Sequence, residues 1–212
     1  MPHSQQPVGQ LFIVSAPSGV GKSTIIGKVL PSFPRLRFSV SSTTRAPRPG
    51  EIDGKDYHFL SVEEFREGID SDRFLEWARV HTHFYGTDRH IVDKWLKAGS
   101  DVLLDIDVQG TRMVRCAHPS AHTIFILPPS MEVLEERLRS RGTESREQLA
   151  VRIAAAGREI PEAAWYDYVI INEDLQEAVE DLGAILRACT CSRAARAGAL
   201  KLFLTSLIDP AR

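Results

Sequence analysis

The residues best equipped for chemistry lie in one run, Ala16-Pro17-Ser18-Gly19-Val20-Gly21-Lys22-Ser23-Thr24. It matches the phosphate-binding pattern GxxxxGK[ST] everywhere except the first position, where Ala16 stands for glycine. Gly19 and Gly21 allow the tight turn that points successive backbone N–H groups inward at phosphate oxygens. Lys22 can then reach the β and γ phosphates, and the Ser23 hydroxyl can ligate Mg²⁺. The helix that follows aims its positive N-terminal end at the same anion. A plain Gly-rich turn is the bland alternative. An apolar run before GK[ST] and a helical pattern after it argue against that alternative.

Three further groups fit around such a loop. Val102-Leu103-Leu104-Asp105-Ile106-Asp107 reads as a buried strand ending in acids, the Walker B pattern. Parallel strands present their C-terminal ends to the ligand crevice, so Asp105 or Asp107 is expected beside Mg²⁺ or the acceptor. Arg45 and Arg48, set among the hydroxyls of Ser39 to Thr44, form a planar, bidentate trap for a second phosphate. Tyr57, Glu76, Tyr85 and Thr87 are polar or amphipathic groups within largely apolar segments. A glutamate can accept two hydrogen bonds from a guanine N1–H and its exocyclic amine, a pair that adenine lacks. In isolation these residues read more simply as surface or core-edge groups.

The basic stretch Arg137-Leu-Arg139-Ser-Arg141-Gly142, continuing to Arg146, suits a lid that closes and excludes water. A solvated helix end is its bland reading, and covers Arg139 and Arg146. His81-Thr82-His83 has the spacing of a metal pair, but the absence of a nearby Cys or carboxylate cluster argues against one. Trp77, Trp95 and Trp165 read as core or domain-edge residues.

The elements that must hold these groups follow from hydrophobic patterning. Strands are expected over 11–15, 101–105, 123–127 and 168–171, each a short, continuous apolar run. Helices are expected over 23–30, 61–69 behind a Ser61/Glu64 capping box, 87–98, 130–141, 144–158 and 174–188. Residues 39–57 read as a long polar binding loop, and 74–80 as either strand or helix. Buried strands alternating with helices imply a parallel sheet in a three-layer α/β fold.

Bulk properties bound the class. The chain has 212 residues, 43% hydrophobic and 25% charged, with a formal net charge of −2. That suits one globular domain with at most a small insertion, and excludes a collagen-like, wholly disordered or strongly basic nucleic-acid-binding chain. Cys116, Cys189 and Cys191 are too few for a disulfide framework and read as reduced thiols. The polar N-terminus and the short apolar run after it, Leu11 to Val14, are not expected to act as a signal sequence, and no run approaches the ~18 apolar residues of a membrane span. A cytoplasmic, soluble protein is expected.

Taken in order, SAPSGVGKST, SVSSTTRAPRPGE with GKDYHF, FLEWA, FYGT, LLDIDVQG, ILPPS, RLRSRGTE and YVIIN resemble the guanylate kinase family. The resemblance covers residues 9–188, and SAPSG is common among bacterial members, so Ala16 departs from the general pattern rather than from the family. It implies a P-loop NTPase fold with a small GMP-binding subdomain near 39–98, a lid near 130–158 and a basic tail over 189–212. The implied reaction moves the γ-phosphate of ATP to GMP, with Mg²⁺, and involves neither nucleic acid nor membrane.

Carried over motif by motif, Ala16 to Thr24 with Arg137 and Asn172 bind ATP, Asn172 approaching adenine. Ser41, Arg45, Arg48, Tyr57 and Tyr85 hold the GMP phosphate, with Gly86 beside them. Glu76 and Thr87 read guanine, and Asp105 lies on the base and ribose side. Lys22, Arg48, Arg141 and Arg152 supply the positive charge that phosphoryl transfer requires. Ser23 is the metal ligand, with Asp105 or Asp107 nearby. Thr87 keeps the hydroxyl where some members carry serine. Because the acceptor phosphate is already anionic, no catalytic base is needed.

Three rivals remain at the level of sequence. A non-catalytic peptide-binding relative would be expected to lose the loop residues that are present here. A kinase for another phosphorylated small molecule would not need the full 41–57 region with Glu76. Nucleic-acid binding through the tail rests on very few charges. The clustering of Lys22, residues 45–48 and residues 137–152 predicts a cationic cleft hidden beneath a near-neutral total.

Overall fold

The structure, a computed structural model, describes residues 8–80, 82–140 and 146–208. The chain begins with strand β1 (Leu11–Ser15), helix α1 (Lys22–Val29) and the short strands β2 (Leu36–Phe38), β3 (Ser42–Thr43) and β4 (His58–Phe59). It continues through α2 (Val62–Asp70), β5 (Phe74–Val80), β6 (His83–Asp88), α3 (Arg89–Lys97), β7 (Asp101–Asp105), α4 (Val108–Ala117) and β8 (His122–Leu127). The last elements are α5 (Met131–Ser140), α6 (Arg146–Glu159), β9 (Tyr168–Ile171), α7 (Leu175–Thr190) and α8 (Ala197–Ile208).

Five strands form the core sheet in the order β2-β7-β1-β8-β9, every pairing parallel. Alternation along β1 divides the core between the two faces of this sheet. Phe12 and Val14 pack with Ile25, Leu134, Leu138 and Leu182 beneath α1, α5 and α7. Leu11 and Ile13 pack with Val92, Leu96 and Val114 beneath α3 and α4. All five β1 residues are buried, as expected for a strand covered on both faces. This is the three-layer parallel α/β architecture expected from the sequence.

A second sheet, β4-β3-β6-β5, stands beside the first and is built on a β5–β6 antiparallel pair. The 74–80 segment is therefore a strand. The helix expected over 87–98 begins later: Thr87 belongs to β6, and Asp88 caps α3 by accepting the Ile91 N–H at 3.2 Å. The polar 39–57 loop contains β3, which pairs with both β4 and β6. Ser61 and Glu64 form the expected reciprocal capping box at α2.

The segment beyond residue 189 differs from a merely basic tail. It contains α8, an apolar helix with Leu202, Phe203 and Leu207 exposed. No helix among the described residues is long and apolar enough to cross a membrane. His81, and with it the HxH pair, lies outside the described residues.

Candidate active site

The C-terminal end of β1 opens directly into the loop 16–21, and α1 starts at Lys22. Gly19 and Gly21 have φ of 95° and 103°, the left-handed region that glycine enters without Cβ strain. Space is equally restrictive. A Cβ at Gly19 would lie 2.6 Å from Leu138 of α5, and one at Gly21 would lie 2.9 Å from the Asn172 amide nitrogen. Ala16 occupies the first motif position without a positive φ.

The loop is buttressed from below. Asn172, 5% exposed at the end of β9, donates its amide N–H to the Val20 carbonyl at 2.6 Å. Arg137 of α5 donates to the Asn172 carbonyl at 3.0 Å and reaches toward the Val20 carbonyl at 3.5 Å. Both residues thus hold the underside of the phosphate loop. For Asn172 this is a different placement from the adenine contact expected from sequence. Ser15 joins the loop to the sheet and to α4, donating to the Ile106 carbonyl at 2.8 Å or sharing a proton with Thr111 Oγ1 at 2.9 Å.

A cleft of about 390 Å³ runs from this loop to the second sheet. Ala16–Gly19 and Gly21–Thr24 line one side, and Ser41, Tyr57, Glu76 and Tyr85 the other. Asp105, Asp107 and Glu159 lie between them. Of the groups expected from sequence, the cleft therefore unites the loop with Ser41, Tyr57, Glu76, Tyr85 and both Walker B acids. A second cavity, about 470 Å³, lies away from these motifs between Phe33, Leu36, Leu186 and Leu202.

Glu76 and Thr87 face each other across the β5–β6 register. The Thr87 hydroxyl donates to Glu76 Oε1 at 2.6 Å, and the two residues are 3% and 1% exposed. Burial pushes the Glu76 carboxyl up to about 7, with the Asp107 charge adding and the Thr87 hydrogen bond opposing. Tyr57 is likewise raised, by burial and then by the charge of Asp105.

Gly86 pairs with Ser42 and Trp77. A Cβ there would come within 3.0 Å of both Phe65 and Phe74, so its smallness serves the aromatic stack over the second sheet.

Arg45 is held by Glu51, donating to its two oxygens at 2.8 and 2.9 Å, and lies 5.3 Å from the Tyr57 ring centre. Glu51 also accepts the Arg48 backbone N–H at 2.7 Å, while Arg48 itself is exposed. Glu51 thus sets the turn that carries both arginines. Arg152 is half-buried on α6, and Arg141 lies outside the described residues.

Electrostatically the cleft departs from expectation. Among its described lining residues Lys22 is the one cation, beside Glu76, Asp105, Asp107 and Glu159. Lys22 ion-pairs with Asp105. Asp107 caps α4, accepting the Gly110 N–H at 2.8 Å. Glu159 is raised by burial and by the Asp107 charge. Arg45, Arg48, Arg137 and Arg152 are not among the residues that line the cleft. Glu159, Glu51 and Gly110 were not singled out by sequence. Glu159 had no visible signal, because only the packing of α6 brings it to the cleft.

The chain is similar to known proteins of one family. The family profile described as guanylate kinase matches residues 8–189. A guanylate kinase of Geobacter sulfurreducens is 49% identical over 186 residues, covering 88% of this chain and 92% of that one. One from Shewanella sp. (strain MR-7) is 47% identical, covering 94% and 97%. A crystal structure of guanylate kinase from Anaplasma phagocytophilum is similar at a TM-score of 0.76 and 36% identity, covering 89% of this chain and 90% of that one.

Proposed function

The chain belongs to the guanylate kinase family, and from that premise we propose how its cleft transfers the γ-phosphate of ATP to GMP, giving ADP and GDP. The carrying observation is that the phosphate loop and Glu76, whose carboxylate is held from behind by the buried Thr87 hydroxyl, line one cleft. ATP phosphates lie on the backbone N–H groups of residues 16–24, with the α1 N-terminus beneath them. Lys22 leaves Asp105 for the β and γ phosphates. Asn172 and Arg137 hold the loop in shape from below.

On the acceptor side, ionised Glu76 receives the guanine N1–H and amine hydrogens while Thr87 fixes its other lone pairs. Ser41, Tyr57, Tyr85, Arg45 and Arg48 hold the GMP phosphate. A GMP phosphate oxygen attacks the γ-phosphorus, and the bond from that phosphorus to the β-bridging oxygen breaks, leaving ADP. No proton need be removed, so the residues act by position and charge. Arg141 and Arg152 complete the positive surround when the lid region approaches.

The donor set suits Mg²⁺. Ser23, with Asp105 or Asp107 nearby, would offer oxygen ligands to a Mg²⁺ ion arriving with the donor phosphates, since among the described residues no three carboxylates gather closely enough to hold a metal by themselves. When bound, Mg²⁺ neutralises charge on the donor phosphates. Three free cysteines, with Cys116 and Cys191 exposed, suit a reducing compartment, and we place the enzyme in the cytoplasm. ADP release coupled to NADH oxidation, followed with ATP and GMP with and without Mg²⁺, tests this reading. GMP- and Mg²⁺-dependent turnover is expected; a rate indifferent to GMP overturns it.

A further inference from the structure

The close approach of Glu76 to the first turn of α4 points to a residue that shapes the guanine site without touching the base. While Thr87 holds Oε1, the other carboxylate oxygen rests over Gly110. A Cβ on Gly110 would lie 2.5 Å from Glu76 Oε2 and 3.0 Å from its Cδ. Nothing else about position 110 demands glycine. Its φ is not positive, and its N–H makes an ordinary capping bond to Asp107.

Neither wall of this contact can yield easily. Thr111, fully buried, donates its hydroxyl to the Asp107 carbonyl at 2.8 Å and lies 2.9 Å from Ser15 Oγ, tying α4 to the strand that carries the phosphate loop. Thr87, on the far side of Glu76, is 1% exposed. A side chain at 110 would therefore displace the Glu76 carboxylate, which falls about 1 Å short of ordinary van der Waals separation from that Cβ.

We propose that Gly110 is a positioning residue for guanine recognition: its missing side chain is the space in which the Glu76 carboxylate is held at the depth that meets the base. This rests on the reading of Glu76 as the guanine acceptor. A carboxylate moved by about 1 Å no longer meets both guanine donors, and misplacement on that scale weakens recognition by about ten- to a hundred-fold.

The test compares wild type, Gly110→Ala, Glu76→Ala and the double variant in steady-state kinetics and thermal melting. Gly110→Ala is expected to raise KM for GMP by about ten- to a hundred-fold, leaving KM for ATP within about threefold. The kcat at saturating GMP should change far less than KM. With Glu76 already removed, adding Gly110→Ala should change KM for GMP by less than about twofold, since the two substitutions damage one contact. If Gly110→Ala melts early, the double variant should restore the melting temperature by clearing the clash.

An unchanged KM for GMP in Gly110→Ala, while Glu76→Ala is impaired, overturns the role of Gly110 and leaves that of Glu76 standing. Additive losses, or a double variant as unstable as Gly110→Ala, overturn it too. Normal GMP kinetics in Glu76→Ala would remove the underlying reading and this inference with it.

Discussion

Replacing Glu76 by glutamine has two opposite consequences that arise from one burial. The carboxyl is 3% exposed and has been pushed from 4.5 to about 7, chiefly by desolvation. At 1.36 kcal/mol per tenfold, that rise corresponds to about 3 kcal/mol. The folded value lies above the unfolded one, so the folded chain binds the extra proton between pH 4.5 and 7 and gains stability as pH falls through that window. Above pH 7 the buried charge opposes folding. The amide of the variant removes that charge and can still accept the Thr87 hydroxyl, so Glu76→Gln should be more stable at pH 8 by about 1–3 kcal/mol. For a chain of this size that is roughly 3–9 °C in Tm. The gain should shrink at pH 5, where the wild-type carboxyl is already neutral.

Recognition moves the other way. An ionised carboxylate accepts both guanine donors, in bonds worth about 1.5–3 kcal/mol each. The amide offers one acceptor and turns an NH₂ toward a guanine donor, a loss of about 2–4 kcal/mol. That is a rise in KM for GMP of about 30-fold to several hundred-fold. Wild-type KM for GMP should climb as pH falls below 7, whereas the variant loses that limb. The GMP phosphate titrates in both proteins, so the difference between their profiles isolates Glu76. A coupled ADP-release assay from about pH 5.5 to 8.5, with melting curves at each pH, reads both effects. A variant with the wild-type KM and pH profile would remove Glu76 from guanine recognition.

Other perturbations separate the two halves of the cleft. Lys22→Ala should lose at least about 10²-fold in kcat while keeping the wild-type melting temperature to within a few degrees, because Lys22 is a partly exposed cleft residue outside the core; circular dichroism and the coupled assay check both. Arg48→Ala should reduce kcat/KM for GMP by about 2–3 kcal/mol with little change in KM for ATP, and a near-normal rate would remove Arg48 from the acceptor phosphate. Asn172→Ala strips the buried amide from the Val20 carbonyl, so it should lower stability by about 1–3 kcal/mol and raise KM for ATP more than KM for GMP; urea unfolding and initial rates decide it.

The phosphate loop is legible in the sequence because its information is local. Two glycines at fixed spacing, a lysine and a following helix specify a turn without distant partners, and the φ values at Gly19 and Gly21 are what that spacing requires. Four of the five core-sheet strands are legible as apolar runs, β1, β7 and β8 because both of their faces are covered. Strand β9 is exposed at Val169 and Ile171 although its run predicts a buried strand, and β2, with one buried residue, gives no such run. Elements that depend on a neighbour are harder to read. Thr87 carries a good helix-start pattern, yet pairing with Glu76 places it in β6 and defers the helix to Arg89, behind the Asp88 cap. Helix α4 gives little sequence signal because its buried face is Gly110, Thr111 and Val114, too small and polar to show an apolar stripe.

Charge is the least legible property. Summing the basic residues predicts a cationic cleft, but Arg45 is committed to Glu51 and Arg137 to the Asn172 carbonyl. Four carboxylates line the described cleft around Lys22. Which side chains face inward depends on where helix ends pack, as for Glu159 on α6, and residue counts carry no record of that. The exposed apolar face of α8 is hidden in the same way, its leucines masked by the arginines that precede it in the tail.

In the function proposed above, the Glu76–Thr87 pair makes this phosphate-loop cleft selective for guanine. The most direct measurement is kcat/KM for GMP, AMP, CMP and UMP at saturating ATP and Mg²⁺ in wild type. GMP is expected to be preferred over AMP by at least about 10²-fold, from the two guanine donors that adenine lacks. Equal or better turnover of AMP would contradict it.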